Sequence, residues 1–202
     1  MTEPTRWDGI EMHDWGPRLW APEFRLRPPL DLNGLFPPSS WAGIDWALPA
    51  LLHRWVPRCE VAVEFGVEFG FSTAALGCYF QRVVGVDPFM QSTDFAEATW
   101  ARLAPYKNVT LRRQGWRTWA DAHEFERPNL IHIDIDPHDY DMTYAAGTWA
   151  ARHSDCVIFH DTENPLADVK RAVGDIAGEQ GMEFWNWPEC NGLGILVREV
   201  GR

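Results

Sequence analysis

From residue 59 onward, short apolar runs rich in Val, Ile and Phe alternate with longer stretches whose apolar positions recur at helical spacing. The short runs predict seven strands, at 60–65, 82–87, 108–113, 129–136, 155–161, 182–187 and 193–200. The longer stretches predict helices at 71–80, 94–104, 116–123, 140–153 and 166–177. Strands and helices that alternate in this way form parallel βαβ units. The fold class predicted is therefore α/β, with a mostly parallel sheet and helices on both of its faces.

The last two predicted strands are joined by only a few residues, 188–192. A parallel pair needs a long crossover, so these two strands are expected to form an antiparallel hairpin at the C-terminal end.

Residues 1–58 differ from the rest and hold six of the twelve tryptophans together with several prolines. Their first forty residues are predicted to be irregular, and a helix is predicted from Trp41 to about Val56, kinked or split at Pro49. We therefore divide the chain into an N-terminal Trp- and Pro-rich extension, 1–58, and a main domain, 59–202. Two interpretations of the extension stay open. Its tryptophans pack onto the main domain, or it forms a lid over a ligand site or a homodimer contact.

The composition limits the partners and the compartment. The chain has 202 residues and a formal net charge of −11, which argues against a nucleic-acid or anionic-membrane partner. Its apolar runs are far shorter than a membrane span, and no apolar signal segment is recognised near the start. The four cysteines are widely spaced and contain no CxxC pair, which is typical of reduced thiols. We expect a cytoplasmic protein.

Ligands of open α/β sheets bind at the carboxyl ends of the strands, so the residues there are the candidates for chemistry. The first strand ends in the glycine-containing loop 64–73. Glu68 stands where the dinucleotide-binding motif GxGxxG has its second glycine, and a carboxylate there disfavours a pyrophosphate. The loop therefore favours a cationic nucleoside.

The second strand ends at Asp87, followed by Pro88. A carboxylate at this position can accept hydrogen bonds from a ribose diol. The alternative is that Asp87 only caps the turn before the proline.

Two segments together resemble a known family. VEFGVEFGFST at 63–73 and VVGVDPF at 83–89 are similar to motifs one and two of the class I S-adenosylmethionine-dependent methyltransferases. They most resemble the small-molecule O-methyltransferase branch that includes macrocin O-methyltransferase and cephalosporin-hydroxylase-like proteins. The resemblance implies a Rossmann-like seven-stranded sheet and S-adenosyl-L-methionine as cofactor.

The resemblance also implies roles for individual residues. Those expected at the methionine end of the cofactor are Glu64, Gly66, Gly70, Ser72 and Thr73. Asp87 is expected at the ribose, and Gly115 and Trp116 are expected at the adenine. Asp134 is expected beside the reacting group.

The densest polar cluster follows the fourth and fifth predicted strands, in HIDIDPHDYD at 132–141 and FHDTEN at 159–164. Alternation along the strand places His132, Asp134 and Asp136 on one face. The catalytic candidates in these segments are Asp134, His138, His160 and Asp161. A histidine here could serve as general base for an acceptor hydroxyl.

Oxygen ligands from two adjacent strand ends suit Mg²⁺, and the predicted metal ligands are Asp134, Asp161 and Glu163. The alternative is that the acids cap turns and the helix that follows.

The sequence thus predicts an S-adenosylmethionine-dependent methyltransferase that methylates an oxygen atom of a small-molecule acceptor, with or without Mg²⁺. Two rival functions remain at this point. One is a metal-dependent hydrolase or hydroxylase-like enzyme on the same fold, and the other is a non-catalytic protein that binds a nucleoside or the cofactor.

Overall fold

The computed structural model describes residues 16–23, 28–90, 92–123 and 126–198. Much of the predicted extension, 1–15 and 24–27, and the end of the last predicted strand, 199–200, lie outside the described residues. No helix in the described part of the chain is long and apolar enough to cross a membrane.

The described residues form eight strands and six α-helices. The strands are β1 Arg18–Leu19, β2 Val61–Phe65, β3 Arg82–Asp87, β4 Val109–Arg113, β5 Leu130–Ile133, β6 Cys156–His160, β7 Glu183–Trp187 and β8 Leu193–Val197. The helices are α1 Ile44–Trp55, α2 Phe71–Gly77, α3 Thr93–Leu103, α4 Trp116–Ala122, α5 Tyr140–His153 and α6 Val169–Gln180.

All eight strands belong to one sheet, in the order β1-β7-β8-β6-β5-β2-β3-β4. The ladder is parallel except that β8 runs antiparallel to β6 and β7, which confirms the predicted α/β sheet and its C-terminal hairpin. An eighth strand, the two-residue β1, adds to the seven predicted strands and pairs in parallel with β7. The N-terminal segment is held to that edge by Trp20, whose backbone N–H donates to the carbonyl of Asn186 at 2.8 Å.

Apolar side chains fill both sides of the sheet. One core cluster includes Leu48 of α1, Leu76 of α2 and Leu103 of α3. The cluster on the other side includes Trp119 of α4 and Ile176 of α6. Because helices cover both faces, the central strands are buried almost throughout, as parallel sheets require.

Helix α1 differs from its prediction at two points. It starts at Ile44 and not at Trp41, because Gly43 has a φ of 109°, which is not helical. Pro49 lies inside it without ending it. The lost backbone hydrogen bond is offset by a buried apolar face that includes Leu48 and Leu51, so the predicted split does not occur.

Helix α6 begins and ends three residues later than predicted. The side-chain oxygen of Asn164 accepts the N–H of Leu166 at 3.0 Å, which fixes a turn where the helix was expected to start. Leu166 is almost fully exposed, so its apolar character does not mark a buried helix face. Gly181, in the left-handed conformation, ends the helix.

Candidate active site

A cleft of about 400 Å³ opens at the carboxyl edge of the sheet. From β2 the chain passes to β3 and β4 on one side and then returns to β5 on the other side of β2. Loops that leave β2 and β5 therefore diverge and leave a crevice, the usual ligand site of an open α/β sheet. Side chains reach the cleft from the loops after β2, β3, β5 and β6, from the start of α4 and from the N-terminal segment.

The loop after β2 packs directly against the backbone of the loop after β5. Gly66 has a φ of 89°, and a Cβ built on it would lie 1.8 Å from the carbonyl oxygen of Asp134. Only glycine fits there, and it lines the cleft, while its contact with the methionine end of the cofactor stays a prediction. Gly70 also has a positive φ, 84°, but its neighbour is Leu103 of α3. Gly70 therefore shapes the loop from outside the cleft.

Asp87 lines the cleft and holds the loop at the same time. One of its carboxylate oxygens accepts the N–H groups of Val67 at 2.8 Å and Glu68 at 3.1 Å. The other accepts the N–H of Phe89 at 2.6 Å. Asp87 therefore does cap the turn that contains Pro88, as the alternative interpretation predicted. A carboxylate has about four lone-pair sites, so the ribose role stays a prediction beside it.

One wall of the cleft is apolar and is formed by Val86, Pro88, Met90 and Trp116. The indole of Trp116 packs against Phe65, with ring centroids 5.9 Å apart, and its N–H reaches the sulfur of Met142 at 3.2 Å. Gly115, predicted beside it, precedes α4 and does not line the cleft. A fixed aromatic surface of this kind suits a flat ring.

At the polar end of the cleft the four predicted catalytic side chains come together. Nε2 of His138 lies 2.9 Å from Oδ1 of Asp134 and 3.4 Å from Oδ2 of Asp161. Nδ1 of His160 lies 3.4 Å from Oδ2 of Asp134 and 3.6 Å from Oδ1 of Asp161. Nε2 of His160 donates to the carbonyl of Cys190 at 3.1 Å. Two imidazoles thus share two carboxylates.

The protonation of the cluster follows from these contacts. A hydrogen bond to Asp134 raises the pKa of His138, although burial opposes it. Burial lowers the pKa of His160, but its hydrogen bond to Asp134 and the charges of Asp134 and Asp161 raise it overall. Burial raises the pKa of Asp134, yet hydrogen bonds from both histidines hold it well below its usual range. The cluster therefore favours an ionised Asp134 beside protonated His138 and His160.

Asp161 is the strained member of the cluster. Its φ is 64°, its side chain is largely buried, and its Oδ1 has no hydrogen-bond partner among the described residues. A non-glycine residue held in this conformation costs free energy, and such residues concentrate at functional sites. The orphaned oxygen is an atom that a proton or a cation could satisfy.

The predicted metal site is partly rearranged. One ligand atom each of Asp134, His138 and Asp161 lie within 4.8 Å of one another. Glu163, predicted as the third ligand, is not in this group. Its carboxylate instead accepts from Lys170 at 2.5 Å and from Asn186 at 2.6 Å. The group that could hold a cation therefore contains His138 where Glu163 was predicted, and the structure gives no support to Glu163 as a ligand.

Three residues predicted to bind the cofactor lie beneath the cleft and not in it. Glu64 is fully buried, and its carboxylate accepts the hydroxyl groups of Ser72 and Thr73. It also lies 2.9 Å from Nδ1 of His132. The three residues therefore hydrogen-bond to one another. Glu64, Ser72 and Thr73 were predicted to contact the cofactor, and the structure corrects this by placing them beneath the cleft.

His132 is separated from the acids that were expected to share its face. Strand β5 ends at Ile133, so the alternation that would align His132 with Asp134 and Asp136 stops between them. Asp134 and Asp136 line the cleft, whereas His132 is fully buried and faces Trp41.

The sequence did not indicate Ser40, which lines the cleft from the N-terminal segment, or the buried contact between Trp41 and His132. One signal was present. Glu64 lies in an otherwise apolar strand, and a buried carboxylate needs partners of its own.

The charge of the cleft is one-sided. The lining carboxylates are Glu68, Asp87, Asp134, Asp136 and Asp161. The basic side chains in the described lining are His138 and His160, with no lysine or arginine beside them. Burial, followed by the charges of Asp134 and Asp87, raises the pKa of Glu68. A cation is therefore the ligand that this field favours.

The sequence matches no family model and no curated protein. Its structure is similar to that of TomG, an O-methyltransferase of Streptomyces achromogenes in complex with S-adenosylmethionine, at 18% identity and a TM-score of 0.54, covering 74% of this chain and 76% of that one. It is also similar to an O-methyltransferase of Bacillus cereus in complex with S-adenosylhomocysteine, at 16% identity and a TM-score of 0.50, covering 69% and 74%. An rRNA methylase of Streptococcus thermophilus matches at 15% identity and a TM-score of 0.55, covering 76% and 95%. The chain therefore has the fold of the class I S-adenosylmethionine-dependent methyltransferases.

Proposed function

We propose that this protein is an S-adenosylmethionine-dependent methyltransferase that acts on an oxygen atom of a small molecule. The observation that carries the proposal is the cleft at the switch point, which apolar side chains, Trp116 among them, line together with five carboxylates. A nucleoside that bears a sulfonium matches both halves of this cleft, because its base is flat and its sulfur is positively charged.

The residues present fit that cofactor. The bare backbone at Gly66 allows a ligand to approach closely, and the indole of Trp116, which lines the cleft, can contact the adenine. Asp87 has lone pairs left for the ribose hydroxyls. S-adenosylmethionine, when bound, supplies a methyl group on an electrophilic sulfonium. The protein has to orient the acceptor and remove its proton.

His138 is our candidate for the general base. It acts in its neutral form, which is populated as the pH rises through its raised pKa; Nε2–H then still points to a carboxylate of Asp134, because a carboxylate only accepts, and Nδ1 is left to accept a proton. Asp134 and Asp161 orient the imidazole and stabilise its charged form after the transfer. His160, enclosed by a carbonyl and two carboxylates, is better suited to balancing charge than to moving a proton.

A divalent cation is the alternative way to activate the acceptor. Asp134, His138 and Asp161 would hold it, and it would lower the pKa of a hydroxyl bound beside it. Two carboxylates and one imidazole suit Mn²⁺, Fe²⁺ or Zn²⁺ at least as well as Mg²⁺, which prefers oxygen ligands.

The acidity of the chain supports a small-molecule acceptor over a nucleic acid. With a net charge of −11 and a cleft without lysine or arginine in its described lining, a phosphate backbone would be repelled. Homodimer formation and a cytoplasmic location stay predictions.

Calorimetry with S-adenosylmethionine and S-adenosylhomocysteine tests the proposal. Both should bind, and Trp116→Ala should weaken binding at least fivefold, whereas Trp46→Ala, an exposed tryptophan of α1, should leave it unchanged. Absence of binding at millimolar ligand would overturn the proposal and favour a metal-dependent hydrolase or hydroxylase.

A transfer assay separates an enzyme from a non-catalytic binder. Hydroxylated small molecules are screened for release of S-adenosylhomocysteine, first with chelator and then with added Mg²⁺ or Mn²⁺. Turnover that survives chelation supports proton removal by a side chain, for which His138 is the candidate. Turnover that requires the cation assigns activation of the acceptor to the metal.

A further inference from the structure

A second cavity, of about 320 Å³, opens at the edge of the sheet opposite the cleft. Its lining comes mainly from the segments just before β2, β5 and β6 and from the residue just after β8. These four strands are neighbours, in the order β8-β6-β5-β2, and β8 runs antiparallel to β6. The starts of three strands and the end of the fourth therefore meet at one edge. We name this cavity the amino-edge pocket.

The amino-edge pocket is strongly basic. The arginines in its described lining are Arg58, Arg127, Arg152 and Arg198, and the carboxylate there is Asp155. Three positive charges are thus in excess, in a chain that has only 18 basic residues and a net charge of −11. The arginines come from four separate segments of the sequence, so the fold, and not a run of basic residues, brings them together.

Arg198 has a structural role in this group. Its guanidinium donates to the carbonyl of Ala151 at 2.7 Å and to the carbonyl of Gln180 at 3.2 Å. These carbonyls belong to the last turns of α5 and α6, where a cation is favoured. Its Nε also lies 3.5 Å from a carboxylate oxygen of Asp155. Arg198 therefore supplies a fixed positive charge to the wall of the pocket.

Arg58 and Arg152 have no comparable role. Both are exposed, and neither makes an ion pair or a side-chain hydrogen bond within the described residues. Arg152 lies in the last turn of α5, which favours a single cation there. Like charges around one cavity repel each other, so the stability of the fold does not account for the convergence of four arginines.

Asn129 adds a neutral donor to the lining. Its side-chain oxygen accepts the N–H of Glu60 at 3.2 Å and the N–H of Val61 at 2.9 Å. Because both partners are backbone donors, these bonds fix the orientation of the amide. The amide nitrogen, which can only donate, makes no hydrogen bond within the described residues. The lining therefore combines guanidinium and amide donors, the groups that bind an oxyanion.

We propose that the amino-edge pocket binds a compact oxyanion with two or three negative charges, of the phosphate or diphosphate class, either free or as part of a small metabolite. The planar guanidinium fork matches the oxygen atoms of such a group. A concave site of about 320 Å³ suits a small ligand. A long polyanion would also meet the acidic remainder of the chain and be repelled.

This site lies outside the cleft proposed for the cofactor, and it does not depend on the proposed function. The two lining sets share no residue. Anion binding and cofactor binding can therefore be measured separately on the same protein.

Calorimetry of the full chain at low ionic strength, with sodium phosphate, sodium diphosphate and sodium citrate as ligands, tests the proposal. Diphosphate should bind more tightly than phosphate and than citrate, and added sodium chloride should weaken its binding. Arg58→Gln and Arg152→Gln should each weaken diphosphate binding about tenfold, as expected for the loss of a hydrogen bond between charged groups. Arg112→Gln removes the same charge from an exposed position on β4, and should change the affinity less than about twofold.

NMR locates the bound anion. Addition of diphosphate to the ¹⁵N-labelled wild type should shift the Nε–H signals of Arg58 and Arg152 and the side-chain amide signals of Asn129, and leave those of Arg112 in place. Binding of S-adenosylhomocysteine should be the same in Arg152→Gln as in the wild type.

Four results would overturn the proposal. They are absence of diphosphate binding at millimolar concentration, unchanged binding in both pocket variants, an equal loss in Arg112→Gln, and tighter binding of citrate than of diphosphate. The third would show that the anion responds only to overall charge, and the fourth would assign the pocket to polycarboxylates. A wild type that binds diphosphate but not S-adenosylhomocysteine would support the pocket and count against the proposed function alone.

Discussion

Replacing Glu64 by glutamine tests the buried hydrogen-bond network beneath the cleft. Glu64 is fully buried, and its two carboxylate oxygens accept from Ser72, Thr73 and His132. A glutamine keeps one oxygen for Ser72 and His132 and turns its amide nitrogen toward the hydroxyl of Thr73, which must then accept instead of donating. The charged acceptor is lost from the network, and the buried hydroxyl proton of Thr73 loses its present acceptor.

The expected loss follows from these contacts. A hydrogen bond to a charged group contributes roughly 1.5–3 kcal/mol, and an unsatisfied buried donor costs about 1–3 kcal/mol. We expect Glu64→Gln to lower the free energy of unfolding by about 3 kcal/mol. For a chain of this size that corresponds to a fall in Tm of roughly 6–12 °C.

Urea and thermal denaturation followed by circular dichroism measure the change. Glu60→Gln, an exposed glutamate just before the same strand, is the matched control and should shift stability by less than about 0.5 kcal/mol. A loss below about 1 kcal/mol for Glu64→Gln would show that the network does not hold the fold, and the reasoning would be refuted.

Three further predictions use other parts of the site. Gly66→Ala places a Cβ 1.8 Å from the carbonyl of Asp134 and should destabilise by more than about 3 kcal/mol, whereas Gly174→Ala in α6, with no atom within 4 Å of its Cβ, should stabilise by about 0.5–1 kcal/mol in the same melts. The raised pKa of His138 means that its pairing with Asp134 contributes fully below pH 6.5 and is lost as the pH rises through the raised value. The lowered pKa of Asp134 means that its own contribution is present above pH 3.8 and is lost as the pH falls further. Melts between pH 5 and 9 should therefore show a decline above pH 6.5 that His138→Asn reduces, and an unchanged slope would contradict this. Mn²⁺ should raise the Tm of the wild type but not of Asp161→Asn, and an equal shift in both would remove the metal alternative.

The strands after residue 59 were predictable because buried parallel strands are continuous apolar runs bounded by polar residues. The run RVVGVD gives β3 with its observed bounds. The helix starts were harder to predict. The first residues of α1 and α6 depend on a positive φ at Gly43 and on a side-chain turn at Asn164, and neither leaves an apolar periodicity.

The candidate site was predictable wherever the strand-end rule applied. Asp134, His138, His160 and Asp161 meet in the cleft because β5 and β6 are neighbours. The partner of each side chain was not predictable. Glu64 turns inward to His132, which is 68 residues away in the sequence, and Glu163 pairs with Lys170 and with Asn186 of β7. Strand alternation reveals neither set of contacts.

Helix α1, from the N-terminal segment, covers a part of the sheet that none of the helices after residue 59 covers. The crossovers from β2 to β3 and from β3 to β4 run through α2 and α3 on one face of the sheet, whereas α4, α5 and α6 pack on the other. Right-handed crossovers require this change of face once the strand order reverses at β2. The first face is therefore left without a crossover helix over β6 and β8. Helix α1 packs in the same cluster as Ile158 and Ile195 of those strands and covers the gap. Because α1 must lie there, the turn before it reaches the crevice, and this brings Ser40 to the cleft.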